Sequence, residues 1–261
     1  MFKLLKARLH QGYQTSRFPE AEIKLPERFR GKPVLDPAPC QENCSACAAV
    51  CPTQAITLDP FQIDLGACLF CPLCQEVCPE KKIHYTPDYH LAVNSKKDLK
   101  ISEKEAKLAE ALKTEMLKVL GRSLKLRQVS AGGCSGCEAE LTALGNVVFD
   151  LSRFGIQFTA SPRHADGIAV TGPVSKNMEA ALRETYAAVP SPKIVIAVGA
   201  CAISGGPFAG AKAALLGIPE DIPVDLYIPG CPPHPLTILD GLLRLLNRIK
   251  GSPSPFQKSG V

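Results

Sequence analysis

Strand-like and helix-like patterns of apolar residues alternate along the second half of the chain. Gly167–Thr171 and Lys193–Val198 are largely apolar runs bounded by turn residues, which is typical of buried parallel strands. Leu124–Val129 predicts a further short strand, and the stretches around Gln157 and Val224–Ile228 predict weaker ones. Helical periodicity covers three stretches: Glu138–Phe149, Ser175–Ala188 and Pro235–Ile249. This alternation predicts an α/β domain with a flavodoxin-like parallel sheet, whose functional site lies at the carboxyl ends of its strands.

Residues 96–123 predict a linker helix in front of this domain. Lys96–Leu120 contains no glycine or proline, and Ser102 with Glu105 fits a capping box. Apolar side chains recur at every fourth position, at Leu108, Leu112, Met116 and Leu120. This stripe indicates a helix that packs one side on a partner or a domain, and a solvated spacer is the alternative.

The N-terminal arm, residues 1–35, carries the excess positive charge of the chain. It holds eight Lys and Arg against three Glu, the remaining residues hold 22 charges of each sign, and the chain totals +5. A small basic arm favours docking on a partner or near anionic lipid headgroups over nucleic-acid binding, which uses a broad basic face. Apolar and basic side chains are interspersed over residues 2–9. This pattern predicts a short amphipathic helix that rests on a membrane subunit or packs locally.

Twelve cysteines dominate the chemistry of the chain. The N-terminus lacks the apolar core of a signal peptide, and no apolar run approaches the roughly 20 residues of a membrane span, so we expect a cytoplasmic protein. Because disulfides are rare in the reducing cytosol, we expect the cysteines to bind metal. Twelve cysteines make three sets of four, and four thiolates hold one [4Fe–4S] cluster.

Eight of the cysteines form two runs, each followed by a proline. The runs are Cys40, Cys44, Cys47 and Cys51, and Cys68, Cys71, Cys74 and Cys78. In two-cluster ferredoxins the fourth cysteine of each run ligates the other cluster. That pattern predicts one [4Fe–4S] cluster on Cys40, Cys44, Cys47 and Cys78, and a second on Cys68, Cys71, Cys74 and Cys51. The Cys40–Cys44 spacing has one residue more than is usual, and two structural zinc sites are the alternative.

Residues around these runs carry a family resemblance. Tyr13, Pro19, Phe29–Pro33 and the segment Cys68–Cys78 resemble the ferredoxin-like subunits of group 4 [NiFe] hydrogenases, including formate hydrogenlyase, and of complex I. The resemblance covers roughly residues 1–100. It implies an α+β ferredoxin-like domain with two clusters.

The other four cysteines lie in loops rich in glycine or proline. Cys134 and Cys137 follow the predicted strand at 124–129 and begin a helix, while Cys201 and Cys231 follow two other predicted strands. Four thiols at one sheet edge predict a third [4Fe–4S] cluster, beside a helix N-terminus that favours an anionic group. A thioredoxin-like redox pair at Cys134 and Cys137 is the alternative, but it leaves Cys201 and Cys231 without a role.

A second resemblance covers about residues 124–250. It is carried, in order, by Gly132–Glu140, Arg153–Ile156, Ser161–Asp166, Thr171–Val174, Gly199–Cys201 and Ile228–Pro233. These segments are similar to the small subunit of formate hydrogenlyase and to the related quinone-reductase subunit of complex I. The resemblance implies a cluster that faces a nickel- and iron-bearing large subunit. Complex I relatives have two adjacent cysteines where this chain has Cys134-x-x-Cys137, which favours the hydrogenase side.

Three residues near the third cysteine set are candidates for supporting roles. Glu138 and Glu140 are candidate proton relays toward a partner, or else Glu138 interacts with the positive N-terminus of its helix. His234 is a candidate for tuning the third cluster by hydrogen bonding.

The sequence thus predicts a fusion of two subunits in five segments. They are an arm at 1–35, a ferredoxin domain at 36–95, the linker at 96–123, a small-subunit domain at 124–250 and a tail at 251–261. We expect it to relay electrons between a donor and the large subunit of a membrane-associated, energy-converting [NiFe] hydrogenase, without a substrate-converting site of its own. Expected partners are the large subunit, membrane subunits at the inner face of the cell membrane, and an electron-donor protein or formate dehydrogenase module. The alternatives are a complex I-like relay that lacks nickel and reduces a quinone or another carrier, and a zinc-bound scaffold.

Overall fold

The computed structural model describes residues 2–21, 23–36, 40, 44–102, 107–121 and 123–249. The helices are α1 Phe2–Gln11, α2 Ala46–Val50, α3 Leu73–Val77, α4 Thr114–Leu120, α5 Gly136–Ala143, α6 Lys176–Ala188, α7 Ala200–Ser204 and α8 Pro235–Leu245. The strands are β1 Pro33–Leu35, β2 Ile56–Leu58, β3 Phe61–Asp64, β4 Ile83–Tyr85, β5 Lys100–Ile101, β6 Leu124–Ser130, β7 Ile156–Phe158, β8 Gly167–Thr171, β9 Ile194–Val198 and β10 Leu226–Ile228. The predicted tail at 251–261 lies outside the described residues.

The back half is built on a five-stranded parallel sheet. Its strand order is β7-β6-β8-β9-β10, the order of the flavodoxin-like doubly wound fold. Every residue of β8 and β9 is buried, because both faces of these central strands are covered. The predicted parallel sheet is therefore confirmed, including the two weaker strands.

Two of the three predicted helices are shorter than their apolar pattern. α5 ends at Ala143. Three residues further on, the side chain of Asn146 forms a turn, because it accepts hydrogen bonds from the amides of Val148 and Phe149. α8 ends at Leu245, and Asn247, two residues further on, takes a left-handed conformation with φ 55° that cannot continue the helix. α6 matches its predicted range closely.

The front half carries two small antiparallel sheets, β1-β4 and β2-β3-β5. Two short helices, α2 and α3, pack against each other between them. Each helix holds one buried cysteine, Cys47 in α2 and Cys74 in α3. The strands thus frame the two cysteine runs.

The prediction of one continuous linker helix is wrong for the described residues of this segment. Lys96–Leu99 forms a 3₁₀ turn, Lys100–Ile101 forms β5, and helix begins only at Thr114. Tertiary pairing outweighs the local helix preference here, because Ile101 pairs with Ile63 of β3 and is buried. The capping box of Ser102 with Glu105 lies outside the described residues.

The apolar stripe of the linker nevertheless packs on the protein. Leu120 is buried, and Leu112 and Met116 pack against the core of the back half. The amide of Leu112 donates to the carbonyl of Leu245 at 2.9 Å, so this stretch follows the end of α8. The segment therefore packs on the domain that follows it, as one of the two alternatives predicted, and is not a solvated spacer.

A buried hydrophobic cluster spans the two halves. Leu99 of the front half and Ile203 of α7 belong to the same buried cluster. Val93 and Tyr227 exchange backbone hydrogen bonds of 3.0 and 2.8 Å, which covers the edge strand β10. Ser204 also donates a hydrogen bond to the carbonyl of Gly66 at 2.9 Å. These contacts fix the cysteine runs relative to the sheet.

α1 forms as predicted and buries none of its side chains. Phe2, Leu4 and Leu9 are 87, 77 and 82% exposed. The structure therefore does not support the alternative in which this helix packs locally on the chain. Within the described ranges, no helix has the length and apolar character that crossing a bilayer requires.

Candidate iron–sulfur sites

The first pocket gathers cysteines from both runs of the front half. Its cysteine lining is Cys40, Cys44, Cys47 and Cys78. Burial raises the pKa of Cys47, and the nearby Cys78 and Cys40 raise it further. The amide of Lys82 donates to the Cys78 sulfur at 3.4 Å. The structure therefore brings together the four residues that the ferredoxin pattern predicts for the first cluster.

The second pocket holds the complementary set. Its cysteine lining is Cys51, Cys68, Cys71 and Cys74. Cys51 belongs to the first run along the chain, yet the turn that follows α2 carries it to the second run. The amide of Ala55 donates to the Cys51 sulfur at 3.3 Å, and the amide of Phe70 donates to the Cys68 sulfur at 3.3 Å. The crossed grouping of the two runs is thus present in the folded chain.

A tyrosine also lines the second pocket. The Tyr85 hydroxyl lies 3.7 Å from the Cys68 sulfur and 3.6 Å from the Cys74 sulfur. Burial, followed by the charges of these two sulfurs, raises the pKa of Tyr85. No sequence motif marks this residue, because it reaches the pocket from β4 through strand pairing.

The third group lies at the carboxyl ends of β6, β9 and β10, as the sequence predicts. Its members are Cys134, Cys137, Cys201 and Cys231. Burial raises the pKa of Cys137 to about 12, and the charges of the other three cysteines add to this effect. They therefore lie close together. Cys134 and Cys231 are exposed, so this site opens at the protein surface.

Two glycines leave space for the sulfurs of the third group. A Cβ at Gly199 would lie 2.5 Å from the Cys137 sulfur, and a Cβ at Gly206 would lie 3.2 Å from the Cys201 sulfur. Both glycines have positive φ angles, of 88° and 50°. A side chain at Gly199 would displace the Cys137 sulfur, whereas one at Gly206 would crowd the Cys201 sulfur.

The donor set of all three groups fits an iron–sulfur cluster. Burial raises the pKa of Cys68 to about 12 and that of Cys201 to about 11, so the free thiols keep their protons at neutral pH. A bound metal removes such a proton, since coordinated thiols ionise. Among the described residues, no three His, Cys, Asp or Glu side chains are placed to hold one metal ion. A cubane cluster has a different requirement, because each of its four cysteines binds a separate iron.

The second and third groups are neighbours. Cys71 lies close enough to Cys231 for its charge to contribute to a raised pKa, after burial and Cys134. Phe29 and Arg30 bridge the two loops: the Phe29 ring packs on His234 at 5.3 Å, and Arg30 Nε donates to the carbonyl of Phe70 at 2.7 Å. These bridging roles were not predicted, although Phe29–Pro33 was part of the family resemblance.

Glu138 and His234 make local contacts beside the third group. Burial favours a higher pKa for Glu138, but hydrogen bonds of 2.6 Å from Ser130 and Thr171 outweigh it and lower the pKa. His234 Nδ1 accepts the amide of Leu236 at 3.2 Å and so caps α8. Burial lowers the pKa of His234. Their suggested roles in proton relay and cluster tuning stay predictions.

Comparison with known proteins identifies the family. Residues 134–245 match the family described as NADH ubiquinone oxidoreductase, 20 Kd subunit, and residues 21–82 match the 4Fe-4S dicluster domain. The chain is 39% identical over 155 residues to the probable membrane-bound hydrogenase subunit mbhJ of Pyrococcus furiosus. The aligned region covers 58% of this chain and 93% of that protein. The chain belongs to the family of the 20 Kd subunit.

Two further relatives come from the two classes of complex to which the sequence resemblance points. One subunit of the NADH-quinone oxidoreductase of Citrifermentans bemidjiense is 46% identical over 127 residues, covering 49% of this chain and 74% of that protein. Formate hydrogenlyase subunit 7 of Escherichia coli is 41% identical over 140 residues, covering 54% of this chain and 55% of that protein. The family resemblance drawn from the sequence is confirmed, with a dicluster domain ahead of the 20 Kd subunit domain.

Proposed function

We propose that the chain relays electrons between a donor and the large subunit of a membrane-associated, energy-converting [NiFe] hydrogenase. The dicluster domain and the relatives make the chain an electron-transfer subunit of a complex I-related hydrogenase or NADH-quinone oxidoreductase-like complex. The observation that carries the relay is the proximity of the second and third cysteine groups, whose loops are bridged by Arg30 at Phe70 and by Phe29 at His234. The 39% identity to a hydrogenase subunit, over 93% of that protein, favours the hydrogenase as the complex in which the relay works.

In this proposal each cysteine group holds one [4Fe–4S] cluster, so the chain carries three. A bound cluster supplies one-electron redox chemistry. Cys40, Cys44, Cys47 and Cys78 would hold the first, Cys51, Cys68, Cys71 and Cys74 the second, and Cys134, Cys137, Cys201 and Cys231 the third. The buried cluster that spans the two halves keeps the second and third groups at a fixed separation. Fixed separation matters because electron tunnelling weakens steeply with distance.

The open third site is the proposed contact with the large subunit. Cys134 and Cys231 are exposed there, and a covering partner would exclude water from them. At the start of the chain, α1 presents exposed apolar side chains together with Lys3, Lys6 and Arg8. Such a helix suits contact with membrane subunits or the lipid surface, which would hold the chain peripherally at the inner face of the membrane.

A nickel-free relay of the complex I type is the second candidate. The 46% identity to a subunit of an NADH-quinone oxidoreductase favours it. In that case the large subunit reduces a quinone or another carrier, and the same three cluster sites would carry the electrons.

Purification of the tagged chain with its native partners, without oxygen, tests these proposals. In the chain separated from these partners, we expect iron and acid-labile sulfide at about twelve each per chain, with three reduced clusters counted by EPR. Nickel in the co-purified large subunit, together with hydrogen production, supports the hydrogenase. Clusters without nickel or hydrogen production support the complex I type. Zinc in place of iron and sulfide contradicts the proposed electron relay.

Gly199→Ala is expected to remove the third cluster and leave the first two. The new Cβ would stand 2.5 Å from the Cys137 sulfur, so that cysteine could not keep its position. The purified variant should lose about one third of its iron and the corresponding EPR signal. Gly210→Ala is the matched control, because Gly210 has a similar φ of 83° but nothing within 4 Å of the added carbon. Full iron content in Gly199→Ala would contradict the proposed third site.

A further inference from the structure

Tyr85 is held firmly beside the second cysteine group. It ends β4, where it pairs with Pro33 of β1. Its amide donates to Gln75 Oε1 at 3.2 Å, and its ring lies 6.3 Å from the ring of Phe70. The backbone and the ring are therefore both fixed, which leaves the hydroxyl with a defined direction.

The hydroxyl points between two sulfurs of the proposed second cluster. It lies 3.7 Å from the Cys68 sulfur and 3.6 Å from the Cys74 sulfur. A tyrosine hydroxyl can donate or accept, but a cysteine bound to iron is a thiolate and can only accept. In the loaded protein the hydroxyl is therefore the donor.

The first cysteine group differs in this respect. Of the described residues that line its pocket, none carries a hydroxyl; the polar ones besides cysteine are Glu80 and Lys82. The two halves of the ferredoxin domain thus give their sulfurs different surroundings. Hydrogen bonds to the sulfurs are one of the features that set the potential of an iron–sulfur cluster.

We propose that Tyr85 is a positioning residue that donates a hydrogen bond to the Cys68 and Cys74 thiolates and raises the reduction potential of the second cluster. This inference rests on the cluster ligands of the proposed function. The donated proton draws electron density from the sulfurs and so favours the reduced state, which carries more negative charge. An electron on the front half is then biased toward the second cluster, whose loop is bridged to that of the third site through Arg30 and Phe29.

Potentiometric EPR titration of the anaerobic full-length chain tests the inference. Tyr85→Phe keeps the ring and removes the hydroxyl, so the potential of the second cluster should fall, while the first and third clusters and the iron content stay unchanged. The second cluster is identified as the signal that Cys51→Ala lacks. Tyr186→Phe is the control, since Tyr186 lies in α6 with its ring against Lys193 and should shift no potential.

A second variant guards against loss of the cluster in Tyr85→Phe. Fluorotyrosine incorporated at position 85 keeps the ring and makes the hydroxyl a stronger donor, so the potential should rise. A fully loaded second cluster with an unchanged potential in either variant would overturn the role of Tyr85, while leaving the electron relay intact. Absence of iron and sulfide from the unmodified chain would overturn both proposals together.

Discussion

Cys51→Ala is expected to abolish the second cluster while the first remains. Cys51 lies in the first cysteine run, but its side chain lines the pocket of Cys68, Cys71 and Cys74. Removing one of four thiolates leaves an iron without its protein ligand, and the variant should lose about one third of its iron. Spin counting by EPR in the anaerobic protein, with iron analysis, measures the loss.

Cys78→Ala is the reciprocal variant. Cys78 lies in the second run but lines the pocket of Cys40, Cys44 and Cys47, so the first cluster should be lost and the second kept. Spectra of the two variants should therefore be complementary. If each substitution instead removed the cluster of its own run, the crossed ligation would be wrong and each run would hold a separate site.

The grouping of the twelve cysteines could be predicted from the sequence because it depends on their spacing along the chain. Two runs with the same local pattern imply a pseudo-symmetric pair of pockets, and strands that end at one sheet edge bring Cys201 near Cys231. The extra residue between Cys40 and Cys44 does not keep either residue out of the first pocket. The residues of the intervening loop, 41–43, lie outside the described part of the chain.

The side chains that surround the sulfurs could not be predicted from the spacing of the cysteines. Tyr85 stands 34 positions after Cys51 and reaches the second pocket only because β4 pairs with β1. Arg30 reaches the carbonyl of Phe70 across 40 positions, a separation that no local sequence pattern spans. The linker prediction failed for a related reason, since the pairing of Ile101 with Ile63 is a tertiary contact that helix periodicity does not contain.

A buried ion network also joins the two halves. Asp240 and Arg244 lie one turn apart in α8, with side chains only 1 and 3% exposed and a 2.7 Å hydrogen bond between them. The second carboxylate oxygen of Asp240 accepts no hydrogen bond among the described residues and lies 3.7 Å from His90 Nε2. His90 Nδ1 contacts Asp88 at 2.6 Å. The network therefore links α8 to the segment that leaves the front half.

Asp240→Leu is expected to destabilise the protein by about 3–5 kcal/mol, the cost of leaving one partner of a buried ion pair uncompensated. Arg244 cannot relieve this cost by losing its proton, because a guanidinium stays charged in proteins. Asp240 could do so, since burial raises its pKa against the opposing effects of Arg244 and His90. The aspartate is thus the more damaging half of the pair to remove. Urea titration of the loaded, anaerobic chain at constant m value measures the change.

The double variant Asp240→Leu/Arg244→Met separates the charge from the packing. It removes both ions and fills their space with apolar groups, so most of the lost stability should return. Arg183→Met is the surface control, because Arg183 pairs with Glu179 and Asp221 in solvent and its loss should change stability far less. A double variant as unstable as Asp240→Leu would show that the shape of the aspartate, and not the uncompensated charge on Arg244, holds α8 against the front half.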